Sequence, residues 1–238
     1  MAPALKTLVC LESLDLSCNS IFFHQNEAAC SAAAQVFECM PRLHRLDLSN
    51  NCIETQLECL LKNITLPLTY LRLAGCGLTV TDMTYLSRSI HCEHLIELDL
   101  SENNLRQCDH QFKEIITASK SSLCVLEVEN CTLDQNNINS FCPRLFELSS
   151  LLYVNFSKNR LPQDCQVLLL ATMVELVALQ VYKSSYALEC YEGEGEEDLK
   201  AAALVELNCV VNRSSVQSRR PKPLMLFWTE LERAIETD

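Results

Sequence analysis

Apolar residues recur along this chain in blocks that fit L-x-x-L-x-L-x-x-N/C-x-L. Clear copies are Leu11, Leu14, Leu16, Asn19, Ile21; Leu43, Leu46, Leu48, Asn51, Ile53; Leu68, Leu71, Leu73, Cys76, Leu78; Leu95, Leu98, Leu100, Asn103, Leu105; and Leu123, Leu126, Val128, Cys131, Leu133. A sixth copy is degenerate (Leu151, Val154, Phe156, Asn159, Leu161). A seventh (Leu176, Leu179, Val181) has Ser184 where Asn or Cys belongs. Successive second leucines lie 32, 25, 27, 28, 28 and 25 residues apart. A period of this size marks a leucine-rich-repeat solenoid. Within each L-x-L, alternate side chains of a short strand turn inward. The Asn or Cys after the strand then serves backbone groups that the turn between coils leaves orphaned.

The segments between strands predict helices. Asn26 to Met40 is alanine-rich with a helical period, and Thr55 to Ile64 puts Leu57, Leu60, Leu61 and Ile64 on one face. Thr81 suits an N-cap, and Phe112, Ile115 and Ile116 form the next apolar stripe. Cys142-Pro143 predicts a delayed or kinked helix, and Pro162 a first helical turn before Cys165 to Met173. The long first interval places Phe22-Phe23-His24 in an extra loop. From the second copy on, the column reads Asn51, Cys76, Asn103, Cys131, Asn159, which resembles the ribonuclease-inhibitor class of repeats, with helices on the convex side. The expected fold is therefore α/β: a horseshoe solenoid with a parallel concave sheet, convex helices and a C-terminal helix/strand cap. Residues 1–187 carry about seven coils. Residues 188–238 carry the cap: an acidic run Glu192 to Asp198, a helix from Leu199 to Val211, a basic stretch Arg213 to Lys222, and a terminal strand Leu224 to Trp228.

Composition narrows the function. With 238 residues, 48% of them hydrophobic, and only four glycines, the chain buries a large core and has little room for disordered linkers. A net charge of −12 disfavours direct contact with nucleic acid and favours a basic partner surface. Fifteen cysteines, an odd number with no CxxC pair and no linear zinc spacing, point to a reducing compartment, cytosol or nucleus. There is no signal-peptide layout at Met1 to Lys6 and no apolar run of membrane-spanning length, so no membrane partner is expected. The sequons at Asn63 and Asn212 carry no weight without secretion. No GxSxG, HExxH, GxGxxG or P-loop pattern occurs, so no enzyme and no cofactor are expected. His91 and His94, three apart around Cys92, read as a surface loop rather than a metal site.

Three stretches resemble the PRAME family of leucine-rich-repeat proteins. One runs from Leu57 to Leu61 and then from Leu66-Pro67-Leu68-Thr69-Tyr70-Leu71-Arg72-Leu73 to Cys76-Gly77-Leu78. A second runs from Asp82-Met83-Thr84-Tyr85-Leu86-Ser87-Arg88-Ser89 into Leu95 to Ser101. The third is Leu188-Glu189-Cys190-Tyr191-Glu192, with Arg220-Pro221 before the apolar run that ends at Trp228. Together they cover roughly residues 40 to 230. The resemblance implies a non-enzymatic substrate receptor of a cullin-2 ubiquitin ligase, recruited to elongin through a short motif before the repeats. It also implies, as an alternative, an adaptor or sequestering inhibitor that restrains NF-κB signalling or transcription. This chain opens almost directly on a repeat, so the elongin-binding segment is expected to be short or absent. Ser13-Leu14-Asp15-Leu16-Ser17-Cys18 matches the core S-L-x-x-x-C of an elongin box, but Leu14 and Leu16 are already repeat leucines.

Outward strand positions line the concave face, where aromatic and Arg side chains make the strongest anchors. The candidate partner-binding residues are Arg45, Tyr70, Arg72, Glu97, Asp99, Glu127, Glu129 and Tyr153. Glu97, Asp99, Glu127 and Glu129 predict an acidic patch over the middle coils. Asp15, Asp47 and Asp99 recur in an L-D-L-S consensus, which also fits a structural role.

Overall fold

The structure, a computed structural model, describes residues 8–176, 178–190 and 201–210. Among these residues eight strands form one sheet in chain order: β1 (Ser13–Asp15), β2 (Arg45–Asp47), β3 (Tyr70–Arg72), β4 (Glu97–Asp99), β5 (Val125–Glu127), β6 (Tyr153–Leu161), β7 (Val181–Cys190) and β8 (Ala201–Val210). β1 to β7 run parallel, and β8 returns antiparallel to β7. Among the described residues six α-helices cover the other side: α1 (Glu27–Glu38), α2 (Leu57–Leu61), α3 (Val80–Arg88), α4 (Asp109–Ala118), α5 (Gln135–Leu145) and α6 (Gln163–Glu175), with a short 3-10 turn at Cys92–His94. This is the expected α/β solenoid.

The repeat residues do what the pattern requires. Leu46, Leu71, Leu98, Leu126 and Val154 are register partners along the middle of the sheet, and each is buried. Burial of one such leucine stabilises by about 2 kcal/mol. Phe112, Phe141 and Phe156 continue the core across coils, with ring centroids 4.7 and 6.1 Å apart.

Turns between coils repeat in detail. Cys18, Asn50, Gly75, Glu102, Asn130 and Lys158 hold the same place and all have positive φ. Gly75 fits because an added Cβ would meet Asn50 Oδ1 at 2.7 Å. The next residue is the Asn/Cys column. Asn103 Oδ1 accepts from the N–H groups of Cys76 and Leu78, and its Nδ2 donates to the carbonyls of Leu73, Leu100 and Ser101. Asn159 repeats this on coils five and six. Cys76 and Cys131 point their thiols at the carbonyls of Leu48 and Leu100, each at 3.2 Å.

Several expectations need correction. Of the cap helix expected over Leu199 to Val211, the described part, Ala201–Val210, is a strand, β8, paired residue for residue with β7; the ladder outweighs the helix propensity of its alanines and leucines. The cap of α3 is Thr79, not Thr81. Thr79 accepts from Asp82 N–H, and Asp82 accepts back from Thr79 N–H. Pro143 neither delays nor breaks α5, which starts at Gln135 under an Asp134 cap and ends two residues after Pro143. Of the histidine pair, His94 is exposed but His91 is buried, and its Nδ1 accepts from the N–H of Leu68 at 3.1 Å. The extra loop is half anchored: Phe23 is buried while Phe22 is exposed. The acidic run Glu192 to Asp198, the basic stretch and the terminal strand expected at Leu224 to Trp228 lie outside the described residues.

Candidate functional site: the concave face of the sheet

Strand register sorts the outward side chains into two rows. One reads Ser13, Arg45, Tyr70, Glu97, Val125, Tyr153, Val181, and the other Asp15, Asp47, Arg72, Asp99, Glu127, Asn155, Lys183. The candidates on β2 to β6 therefore share one face. Glu129 sits just beyond β5 and joins them through Asn155, whose Nδ2 donates to both Glu127 Oε2 and Glu129 Oε2 at 2.9 Å.

Chemistry within the face is strongly local. The Arg45 guanidinium lies 3.7 Å from the Tyr70 ring centroid, a cation–π contact between β2 and β3. Arg72 pairs with Glu97 at 2.6 Å across β3 and β4, and that bond holds the guanidinium's pKa above its usual value. The Lys183 ammonium stands 5.4 Å from the Tyr153 centroid. Lys158 pairs with Glu129 at 2.7 Å and holds its carboxyl below the usual range. Glu127 behaves oppositely: burial raises its pKa, against the bond from Asn155, and nearby Asp99 adds to the rise.

The acidic patch is thus real in position but uneven in charge. Glu97 and Glu129 already have basic partners. Asp99 and Glu127 are direct neighbours in register and form the negative centre.

The L-D-L-S aspartates have a structural job as well. Asp15, Asp47 and Asp99 each accept the N–H of the serine two residues on, at 2.8 to 2.9 Å. Asn155 does the same for Ser157. Arg72 and Glu127 occupy this position in the two coils that use Cys rather than Asn in the turn column, so their side chains are released from that task. Sequence reasoning put Asn155 on the outward face without naming it a candidate, although it ties Glu127 to Glu129, and it missed Lys183, which lies in the weak seventh copy. The signal for both was their place in the second outward row.

Comparison with known proteins fits this architecture. Residues 3–233 match the PRAME C-terminal domain. The chain belongs to the PRAME family. PRAME-type relatives include leucine-rich repeat-containing protein 14 of Homo sapiens, 32% identical over 152 residues, which are 63% of this chain and 31% of the relative. The protein of the same name from Xenopus laevis is 30% identical over 163 residues, 68% of this chain and 32% of the relative. The chain thus spans about a third of the length of the curated relatives it matches. Leucine-rich-repeat proteins of the PRAME family are in general binding modules for other proteins, without enzymatic activity. Among the described residues no helix is long and apolar enough to cross a membrane.

Proposed function

We propose that this chain recognises a partner protein on its concave face, as the substrate-reading part of a PRAME-type receptor for a cullin-2 ubiquitin ligase. The observation that carries the reading is the pair of rows on the sheet. They set two aromatic anchors, Tyr70 and Tyr153, on either side of the acidic centre at Asp99 and Glu127. Aromatic and Arg anchors around a partly desolvated charge are the composition of an interface centre. The reading places the protein in the cytosol or nucleus, in keeping with its free thiols. It invokes no cofactor for recognition.

A second reading has its own support. Ser13 to Asp15 form strand β1, so the S-L-x-x-x-C match at Ser13 to Cys18 is not the helix an elongin box requires. A stoichiometric inhibitor or signalling adaptor needs no such helix. Both readings share the concave face and differ in what else is recovered with it.

Affinity capture from cells separates them. The wild-type chain is compared with a concave variant, Tyr70→Ala with Glu127→Gln, and a convex control, Arg88→Ala. The receptor reading expects elongin and cullin-2 with the wild type and the convex control. It also expects a further partner that only the concave variant loses. A partner lost from the concave variant with no cullin-2 or elongin present establishes the inhibitor reading. Partners indifferent to the concave variant overturn both.

A further inference from the structure

Two neighbouring coils bring an imidazole, a thiol and a carboxylate together away from the concave face. His24 belongs to the extra residues of the first interval, while Cys52 and Glu54 follow β2. The backbone around all three is fixed. Phe22 and Cys52 form a parallel bridge, Phe23 N–H donates to Cys52 O at 2.8 Å, and Cys52 N–H donates to Ile21 O at 2.8 Å. Phe23 and Ile53 are buried beside them, and Asn26 caps α1 two residues after His24. The side chains thus start from anchored positions.

Their separations suit a metal ion. His24 Nε2 is 3.7 Å from Glu54 Oε2, and Cys52 Sγ is 3.4 Å from Glu54 Oε1. One ligand atom from each residue lies within 4.8 Å of the other two. Tetrahedral zinc with sulfur, nitrogen and oxygen ligands needs ligand–ligand edges of about 3.4 to 3.6 Å. The two contacts are of that size, although they reach different oxygens of the Glu54 carboxylate, so a small rotation of that group is needed to present one oxygen to the ion. Among the described residues His24 Nδ1 is buried without a hydrogen-bond partner, so neither neutral tautomer is satisfied by them. Cys52 Sγ and the Glu54 carboxylate sit side by side, two groups that both carry negative charge as metal ligands. A divalent cation between them would be attracted to both.

We propose that His24, Cys52 and Glu54 form a three-ligand site for a borderline-soft divalent cation, zinc above all, with a fourth position for water or a ligand from a partner. Sulfur and imidazole exclude magnesium and calcium as the favoured ions. The bound ion clamps the long loop of the first coil to the turn of the second.

Cobalt(II) is the probe, because a thiolate ligand and a tetrahedral field give it distinct absorption bands. It is titrated into the reduced full chain. The expected result is one equivalent with a thiolate-to-cobalt charge-transfer band, displaced by zinc. Cys52→Ser and His24→Gln each abolish the band, and Glu54→Gln weakens binding at least tenfold. Cys18→Ser, an exposed cysteine one coil away, leaves it unchanged. Far-UV circular dichroism without metal keeps the reading clear of misfolding, since none of the three side chains is in the packed core. No cobalt band, or a band that survives Cys52→Ser and His24→Gln, overturns the site.

Discussion

The side-chain carbonyl of Asn103 accepts the backbone N–H of Cys76 at 3.1 Å, so a residue of the fourth coil completes the turn of the third. The same amide serves four further backbone groups, and Asn103 is 1% exposed. Replacing it strands the N–H groups of Cys76 and Leu78 and the carbonyl of Leu73, while the Ser101 carbonyl keeps the Gly75 N–H and the Leu100 carbonyl keeps the Cys131 thiol. Asn103→Ala is therefore expected to cost about 3 kcal/mol, with the urea midpoint falling and the slope unchanged. Asn19 is the contrast. It is exposed and donates only to Leu16 and Ser17, so Asn19→Ala is expected to cost about 0.5 kcal/mol. Equal losses at the two positions would refute the account of the column.

Asp82 joins three segments in the same manner. It is 1% exposed and accepts from the N–H groups of Thr55, Leu57 and Thr79 and from the Thr79 hydroxyl. It closes the Thr79 capping box of α3 and also holds the entry to α2. Asp82→Ala is expected to destabilise by about 3 kcal/mol, well above the ~1 kcal/mol of a simple cap. Asp82→Asn, which keeps one acceptor oxygen, should lose less. Thermal unfolding of the two variants decides the order.

Thiol reactivity should follow burial rather than sequence. Burial pushes the thiols of Cys76, Cys92 and Cys131 up to about 12, and Cys108 up to about 11. Cys10 and Cys18 are exposed. An alkylating reagent at neutral pH should label Cys10 and Cys18 within the time that leaves the four buried thiols untouched, because the thiolate is the reactive form. Mass mapping after brief native labelling tests this. Early modification of Cys76 or Cys131 would contradict the closed core.

His91 gives the fold a dependence on mild acid. Its neutral Nδ1 accepts from Leu68 N–H, and burial holds its pKa below the ordinary 6.5, with the Leu61 backbone opposing and His94 adding to the depression. The unfolded chain binds a proton at about 6.5 that the folded chain refuses until lower pH. Stability is then full above about 6.5 and falls as pH drops from there through the folded pKa. Carboxylates with lowered values, such as Glu129, lose their contribution only below about 4.5. Denaturant midpoints measured between those limits should fall with pH in the wild type and flatten in His91→Gln. A wild-type midpoint that is level across this window sinks the prediction.

How far the sequence could be read depends on how local the signal was. Leu46, Leu71 and Leu98 announced themselves through period alone, because every coil solves the same packing problem with the same residues. Asp47 and Asp99 could be read as either structural or functional, and their bonds to Ser49 and Ser101 supply the structural half. Ala201 to Val210 misled because alanine and leucine favour helix, whereas the pairing with β7 is decided across the chain. His91 looked like part of a surface loop, since a three-residue spacing does not tell which ring packs inward. His24, Cys52 and Glu54 escaped any search by linear spacing because a whole coil separates the first from the other two.

Arg72 and Glu97 test whether the concave face is built for stability or for recognition. The pair is short, at 2.6 Å, and Glu97 is only 15% exposed, but Arg72 is about half exposed and keeps the pair open to solvent. Solvent screening and side-chain entropy hold such pairs to about 0.5 kcal/mol. A double-mutant cycle on unfolding with Arg72→Ala, Glu97→Ala and both together should return a coupling of about that size. Partner binding should respond differently. A central arginine anchor removed from an interface costs about 2 kcal/mol, close to a thirtyfold loss. Arg72→Ala should therefore weaken a captured partner far more than it weakens the fold. Glu97→Ala, which frees the guanidinium from its internal partner, should weaken it less. A coupling above about 2 kcal/mol in the unfolding cycle, with unchanged partner affinity, would assign the pair to the scaffold and move recognition to Tyr70 and Tyr153.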